Sequence, residues 1–236
     1  MNFGIIAAGE GSRLVQEGVA IPKPLVEINH KPMIRRLIDI FIDCGAESIS
    51  IIINNEMKEV REYLEKIIPE LHCKFHLVIK STPSSMHSFS ELATLMDGKF
   101  IVTTVDTIFR PADFKRYVEA FRNQPEKTYD GMMGLTSFID DEKPLYVGTD
   151  SDGIITGFYD SPHEGCKFVS GGIYGLTPRC LPIMKDALEK GISRMRNFQR
   201  ALIDNGLRLQ AYDIGKIIDV DHAADISTAE RFLSEE

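Results

Sequence analysis

Gly9, Gly11, Ser12 and Arg13 stand together directly after an apolar run, Phe3-Gly4-Ile5-Ile6-Ala7-Ala8, and Lys23 follows inside Pro22-Lys23-Pro24-Leu25. A buried strand that ends in a Gly-x-Gly turn presents consecutive backbone N–H groups where a helix begins, a concavity suited to phosphate oxygens. Arg13 adds a planar fork of donors and Lys23 a mobile point charge. Ala8, Gly9, Gly11, Ser12, Arg13 and Lys23 are therefore a candidate polyphosphate site, with Arg13 and Lys23 as its charge-stabilising catalytic groups. The bland alternative is a tight turn beside a surface Arg and Lys. A Walker loop would end in Gly-Lys-Ser/Thr, which is absent, and a dinucleotide fingerprint would need a small residue where Leu14 stands.

A polyphosphate needs its charge offset, and Mg²⁺ does this with one or two protein carboxylates plus phosphates and water. Asp106 closes the apolar run Phe100-Ile101-Val102-Thr103-Thr104-Val105. As the end of a strand beside the phosphate loop it is the first candidate ligand, although an Asp there also serves as a turn or cap residue.

These side chains need a scaffold that brings strand ends to one edge. After the loop, Met33-Ile34-x-x-Leu37-Ile38-x-x-Phe41-Ile42 has helical spacing, and Ile49-Ser50-Ile51-Ile52-Ile53 reads as a strand buried on both faces. Residues 56–68 and 88–96 read as helices, and 75–79 and 100–105 as strands. This βα alternation predicts an α/β, Rossmann-like fold whose site lies at the carboxyl ends of a mostly parallel central sheet. From about Gly131 the pattern changes to short strands at 132–138, 145–149, 154–159 and 168–176, a smaller mixed β region. Helices near 178–190 and 194–205, a strand near 207–212 and a closing helix from Ala223 complete the chain.

With 236 residues, 43% hydrophobic and 26% charged, the chain has ordinary globular usage. A formal net charge of −8 argues against a nucleic-acid-binding face. Cys44, Cys73, Cys166 and Cys180 lack the spacing of a zinc site or disulfide framework. No apolar run approaches the ~20 residues of a membrane span, and the beginning does not read as a signal peptide, so a cytoplasmic location is expected. A homo-oligomer is left open.

The combination Ala8-Gly9-Glu10-Gly11-Ser12-Arg13-Leu14 with Pro22-Lys23-Pro24-Leu25 resembles the signature of the sugar nucleotidyltransferases, a family of GT-A-like fold to which phosphocholine cytidylyltransferases are similar. The resemblance implies one nucleotidyltransferase domain over residues 1–236, with a nucleotide-binding part at 1–130 and an acceptor-binding and closing part at 131–236. It implies a metal-binding Asp at Asp106, where Val105 replaces the family's glycine. The second metal carboxylate falls in Ile217-Ile218-Asp219-Val220-Asp221, with Asp219 aligned and Asp221 as understudy. For Asp221, an N-cap of the last helix is an equal alternative.

The family's base-reading loop corresponds to residues 81–92, which makes Ser85 and Ser88 candidate nucleotide contacts. A hydroxyl-rich loop suits a pyrimidine edge, and equally an ordinary helix cap. Ser170-Gly171-Gly172-Ile173-Tyr174 resembles the acceptor segment and marks Gly172; a glycine pair there also reads as a β-bulge. Sugar-phosphate members carry a lysine where this chain has Tyr159-Asp160-Ser161-Pro162, so Lys167 is the substitute candidate and Tyr146 an acceptor neighbour. The implied activity is Mg²⁺-dependent transfer of a nucleoside monophosphate from a triphosphate to a sugar phosphate, releasing pyrophosphate. Cytidylyl transfer to phosphocholine or another phosphorylated alcohol is the alternative within the class, and a non-catalytic nucleotide-binding paralogue the alternative outside it.

Overall fold

The computed structural model describes residues 1–139 and 143–235. Strand β1 (Asn2–Ile6) enters the glycine-containing loop and the short helix α1 (Ser12–Gln16) leaves it. A hairpin of β2 (Glu27–Ile28) and β3 (Lys31–Pro32) leads into α2 (Met33–Asp43). Two βα units follow, β4 (Ser48–Ile53) with α3 (Lys58–Ile67) and β5 (Lys74–Ile79) with α4 (Ser85–Ala93). Next come β6 (Phe100–Thr104), the short β7 (Thr107–Ile108) and α5 (Pro111–Asn123). The second half supplies β8 (Gly131–Thr136), β9 (Tyr146–Thr149), β10 (Ile155–Tyr159) and β11 (Phe168–Leu176). It ends with α6 (Cys180–Glu189), α7 (Met195–Asp204), β12 (Leu209–Asp213), β13 (Ile218–Asp219) and α8 (Ala223–Ser234).

The expected α/β architecture is present. Strands β5, β4, β1 and β6 lie side by side and parallel, so their carboxyl ends share one edge. Antiparallel β11 extends the sheet beyond β6 and carries β8 and β9 on its other pairings, with β12 parallel to β8. Strand alternation splits the core between the two faces. Phe3, Ile5, Ile49, Ile51 and Ile101 pack against α2, α3, α5 and α8, while Ile6, Ile52, Phe100 and Val102 pack against α4, α6 and α7. The first face holds an aromatic stack in which the Phe3 and Phe41 rings are 4.5 Å apart and those of Phe109 and Phe114 also 4.5 Å. Each fully buried Ile or Phe contributes about 1.5–3 kcal/mol, so the site edge rests on a stiff base. Among the described residues no helix is long and apolar enough to cross a membrane.

Three local features depart from the periodicity. The β2–β3 connection is a tight turn with φ of 50° at Asn29 and 62° at His30, the geometry of a two-residue hairpin turn. Helix α4 starts at Ser85, three residues earlier than the apolar spacing suggests, because Ser84 takes the extended N-cap conformation. Strands β7 and β13 pair antiparallel in a separate two-stranded sheet, bringing Asp219 opposite Thr107 and so the C-terminal segment beside Asp106.

Candidate functional site

The loop after β1 is tied down from below. Ala7 donates its N–H to Ile52 (2.9 Å), and the Asn54 amide donates to the Ala8 carbonyl (3.1 Å). Asn54 follows β4 directly and its own Oδ1 accepts from Glu56 N–H, so a buried side chain anchors the loop from the neighbouring strand end. Gly11 has φ +62°, and a Cβ there would lie 2.9 Å from Lys23 Cβ. Gly9 faces open space. Gly11→Ala is therefore expected to lower stability by about 1–2 kcal/mol through left-handed strain, with added loss from the displaced Lys23 stem. Gly9→Ala should leave thermal denaturation near wild type, and a matched pair of melting curves checks the contrast.

Lys23 is only 8% exposed, and its ammonium lies 2.5 Å from Asp106 Oδ2 and 2.5 Å from Asp221 Oδ1. Arg13 donates to the other Asp221 oxygen at 2.9 Å. Two cations and two carboxylates thus form a compact quartet at the edge of the sheet. Burial alone would raise the Asp106 carboxyl; the adjacent Lys23 ammonium and the Thr104 hydroxyl outweigh it and hold Asp106 below the usual carboxylate range. Burial likewise opposes the Lys23 charge, but Asp106 and Asp221 overcome it and raise Lys23 above the ordinary lysine value.

The signs of these shifts set a pH window. A depressed Asp106 contributes stability above its unfolded pKa and loses it as pH falls through the folded value. A raised Lys23 contributes below its unfolded pKa and loses it as pH rises through the folded value. Stability from this pair is therefore expected to be flat between about pH 5 and 9. In Lys23→Met the burial of Asp106 is no longer offset by the ammonium, so the loss in denaturant midpoint relative to wild type should be largest at about pH 8 and shrink as pH falls toward about 5.

The quartet lines a cleft of about 910 Å³ whose walls include Gly9, Gly11, Ser12 and Ser81–Ser85. Ser85 and Ser88 both reach it, at the first turn of α4. The Ser88 hydroxyl is paired with Thr82 (2.6 Å), and the Ser85 hydroxyl accepts from Met195 N–H (3.4 Å), linking this wall to the start of α7.

The C-terminal turn separates the roles of its acidic residues. His222, not Asp221, is the N-cap of α8, and the Asp225 carboxylate accepts from the Asp221 and His222 N–H groups. That leaves the Asp221 side chain directed at Lys23 and Arg13. Asp219 lies two residues earlier, at the end of β13, and is exposed. Burial raises the Tyr174 hydroxyl pKa, and the nearby Asp219 and Asp106 charges add to the rise. His222 binds Glu17 through Nδ1 (2.6 Å), consistent with a neighbour of the turn.

A second cavity of about 60 Å³ shares Arg13 and Asp221 with the cleft and adds Thr136, Phe138, Ser170, Gly171 and Asp219. The glycine pair forms a bulge: pairing of β11 with β8 shifts register between Ser170 and Ile173. Gly172 has φ +69°, and a Cβ there would sit 2.9 Å from the Thr107 hydroxyl. Tyr146, half-buried on β9, and Lys167, exposed before β11, line neither of these two cavities. Asp160 is paired with Arg196 (2.7 Å) and Arg200 (2.8 Å) of α7, so its charge is already compensated. Sequence reasoning missed both arginines and Asn54. The arginines lie in an ordinary amphipathic helix, whereas Asn54 had a usable signal, a polar amide directly after the isoleucine run that ends β4.

A family model for the nucleotidyl transferases matches residues 4–235. The bifunctional protein GlmU of Thermodesulfovibrio yellowstonii is 27% identical over 256 aligned residues, covering 99% of this chain and 52% of that protein. The chain thus spans about half the length of that curated relative. Among solved structures, a protein from Bacillus anthracis described as a glucose-1-phosphate thymidylyltransferase superimposes with a TM-score of 0.85 at 20% identity, covering 100% of this chain and 96% of that one. The inositol-1-phosphate CTP transferase of T. maritima gives a TM-score of 0.82 at 17% identity, covering 99% and 95%. At those identities the two structures speak to the fold, and the match over residues 4–235 speaks to descent: the chain belongs to the nucleotidyl transferase family.

Proposed function

We propose that this protein transfers a nucleoside monophosphate from a triphosphate to a phosphorylated small-molecule acceptor, with release of pyrophosphate. The observation that carries the reading is the convergence of Asp106, Asp221, Lys23 and Arg13 at the phosphate loop. Lys23 and Arg13 hold the β and γ phosphates and stabilise charge on the leaving pyrophosphate. The loop's backbone orients the chain of phosphates, and the smaller cavity beside Arg13 seats the acceptor's reacting end. The acceptor is already an anionic nucleophile, so its oxygen attacks the α-phosphorus directly and no general base or covalent enzyme intermediate is needed.

The donor set suits a hard divalent cation. Asp106 and Asp221 offer only oxygen and already converge on one positive charge. Mg²⁺ bound there, with Asp219 alongside, supplies charge neutralisation at the reacting phosphates.

A sugar phosphate is favoured over phosphocholine as the acceptor. A quaternary ammonium needs open aromatic faces or a spare carboxylate. Here the Tyr159 ring is stacked on His163 (4.4 Å), Phe158 and Tyr174 are buried, and Asp160 is paired with two arginines. The hydroxyl-rich wall at Ser81–Ser85 favours a pyrimidine base, and the cytoplasm is the expected compartment.

Pyrophosphate release, measured for each triphosphate against hexose 1-phosphates, inositol phosphate and phosphocholine with Mg²⁺ present, tests the reading. Selective turnover of a pyrimidine triphosphate with a sugar phosphate is expected. Preference for phosphocholine would overturn the acceptor ranking, and no release with any pair would overturn the activity.

A further inference from the structure

We infer that in the free protein the Lys23 ammonium holds the position between Asp106 and Asp221 that a divalent cation takes in the loaded site, so that the cation enters only together with a polyphosphate. The inference rests on the metal-dependent reading above and adds an order of events to it.

Lys23 sits where the two carboxylates converge. Asp106 Oδ2 and Asp221 Oδ1 each lie 2.5 Å from Lys23 Nζ, so the two oxygens are within two such contacts of each other. Mg²⁺ binds oxygen at about 2.0–2.1 Å and would need the same gap. The remaining Asp221 oxygen is engaged as well, by Arg13 at 2.9 Å. Charge points the same way. Lys23 and Arg13 already offset Asp106 and Asp221, which leaves the exposed Asp219 as the further carboxylate beside them, and a dication added to this set would meet two resident cations.

A polyphosphate reverses the balance, because its oxygens give both cations new partners. Lys23 can make the exchange without moving its backbone. The flanking Pro22 and Pro24 hold it in a short 3₁₀ turn, Lys23–Leu25. Its stem runs along Gly11, where a Cβ would lie 2.9 Å from Lys23 Cβ and 3.5 Å from Cδ. A phosphate seated on the loop is therefore within the swing of the terminal ammonium. Leaving the carboxylates frees the oxygens that the cation requires.

Protein-bound Mn²⁺, followed by electron paramagnetic resonance, tests this without turnover. Wild-type protein is titrated with Mn²⁺ alone and with Mn²⁺ plus inorganic tripolyphosphate; Lys23→Met is titrated with Mn²⁺ alone. Wild type is expected to bind Mn²⁺ at least tenfold more tightly with tripolyphosphate present. Lys23→Met should bind Mn²⁺ unaided at least tenfold more tightly than wild type, and adding Asp106→Asn should abolish that gain. Equal Mn²⁺ affinity of wild type with and without tripolyphosphate would overturn the inference while leaving the metal reading intact. So would a folded Lys23→Met that gains nothing. Absence of bound Mn²⁺ in every sample would instead remove the metal reading and the inference with it. If circular dichroism shows Lys23→Met unfolded, the two wild-type titrations decide.

Discussion

Asp106→Asn is expected to reduce kcat by about a hundredfold to a thousandfold at saturating Mg²⁺ while leaving a folded protein. Asparagine keeps the shape and one acceptor oxygen but removes the charge that Lys23 faces at 2.5 Å. In the loaded site that charge is one of the two that would hold the divalent cation, and losing such a ligand removes several kcal/mol of transition-state stabilisation. Folding is expected to survive because Lys23 retains Asp221, and because the β6 strand beneath is buried in the core. The checks are kcat across a Mg²⁺ series and the far-ultraviolet circular dichroism spectrum. A folded variant with near-normal kcat would show that Asp106 is a turn residue and that the cation, if one is used, is held elsewhere.

The parts of the fold that were legible from the sequence are those where burial dominates. Ile49–Ile53 and Phe100–Val105 are mostly apolar because both faces of their strands are covered, and the spacing in Met33–Ile42 follows from one apolar face. The glycine loop after β1 was legible for a different reason. Gly11 must adopt a left-handed φ and must also let Lys23 approach, so few other residues fit, and the chemistry leaves a mark on the sequence. The start of α4 was misplaced because Ser85, Ser88 and Ser90 are hydroxyl residues in a helix whose first turn has little apolar signal; the tertiary contacts with α7 override it.

Long-range pairing was the least legible part. That Asp221 should face Lys23, 198 positions away, depends on the antiparallel pairing of two-residue strands β7 and β13 and on Asp225 relieving Asp221 of the capping role. Neither can be read from local spacing. The same limit applies to Asp160, whose carboxylate looks available in the sequence but is neutralised by Arg196 and Arg200, 36 and 40 positions later.

Asp221→Asn should separate two effects that a simple loss of catalysis would not. In the free protein Asp221 competes with incoming phosphates, because both its oxygens are occupied by Lys23 and Arg13. Removing its charge loosens the hold on Arg13 and leaves Lys23 with Asp106, so without metal the variant should bind triphosphate about tenfold more tightly, the low end of what one charge-assisted contact is worth. With Mg²⁺ present the sign reverses for turnover, which should fall by about a hundredfold because the second oxygen ligand is weakened. Asp219→Asn provides the contrast. Asp219 is exposed, and its charge adds to the rise in the Tyr174 hydroxyl pKa. It should leave metal-free triphosphate affinity unchanged and lower kcat by less than about tenfold. Calorimetry in chelator and steady-state rates in Mg²⁺, run on both variants, decide between the carboxylates. A collapse of kcat in Asp219→Asn with Asp221→Asn near normal would make Asp219 the metal carboxylate and leave Asp221 as the tether that holds Lys23 and Arg13 in the free state.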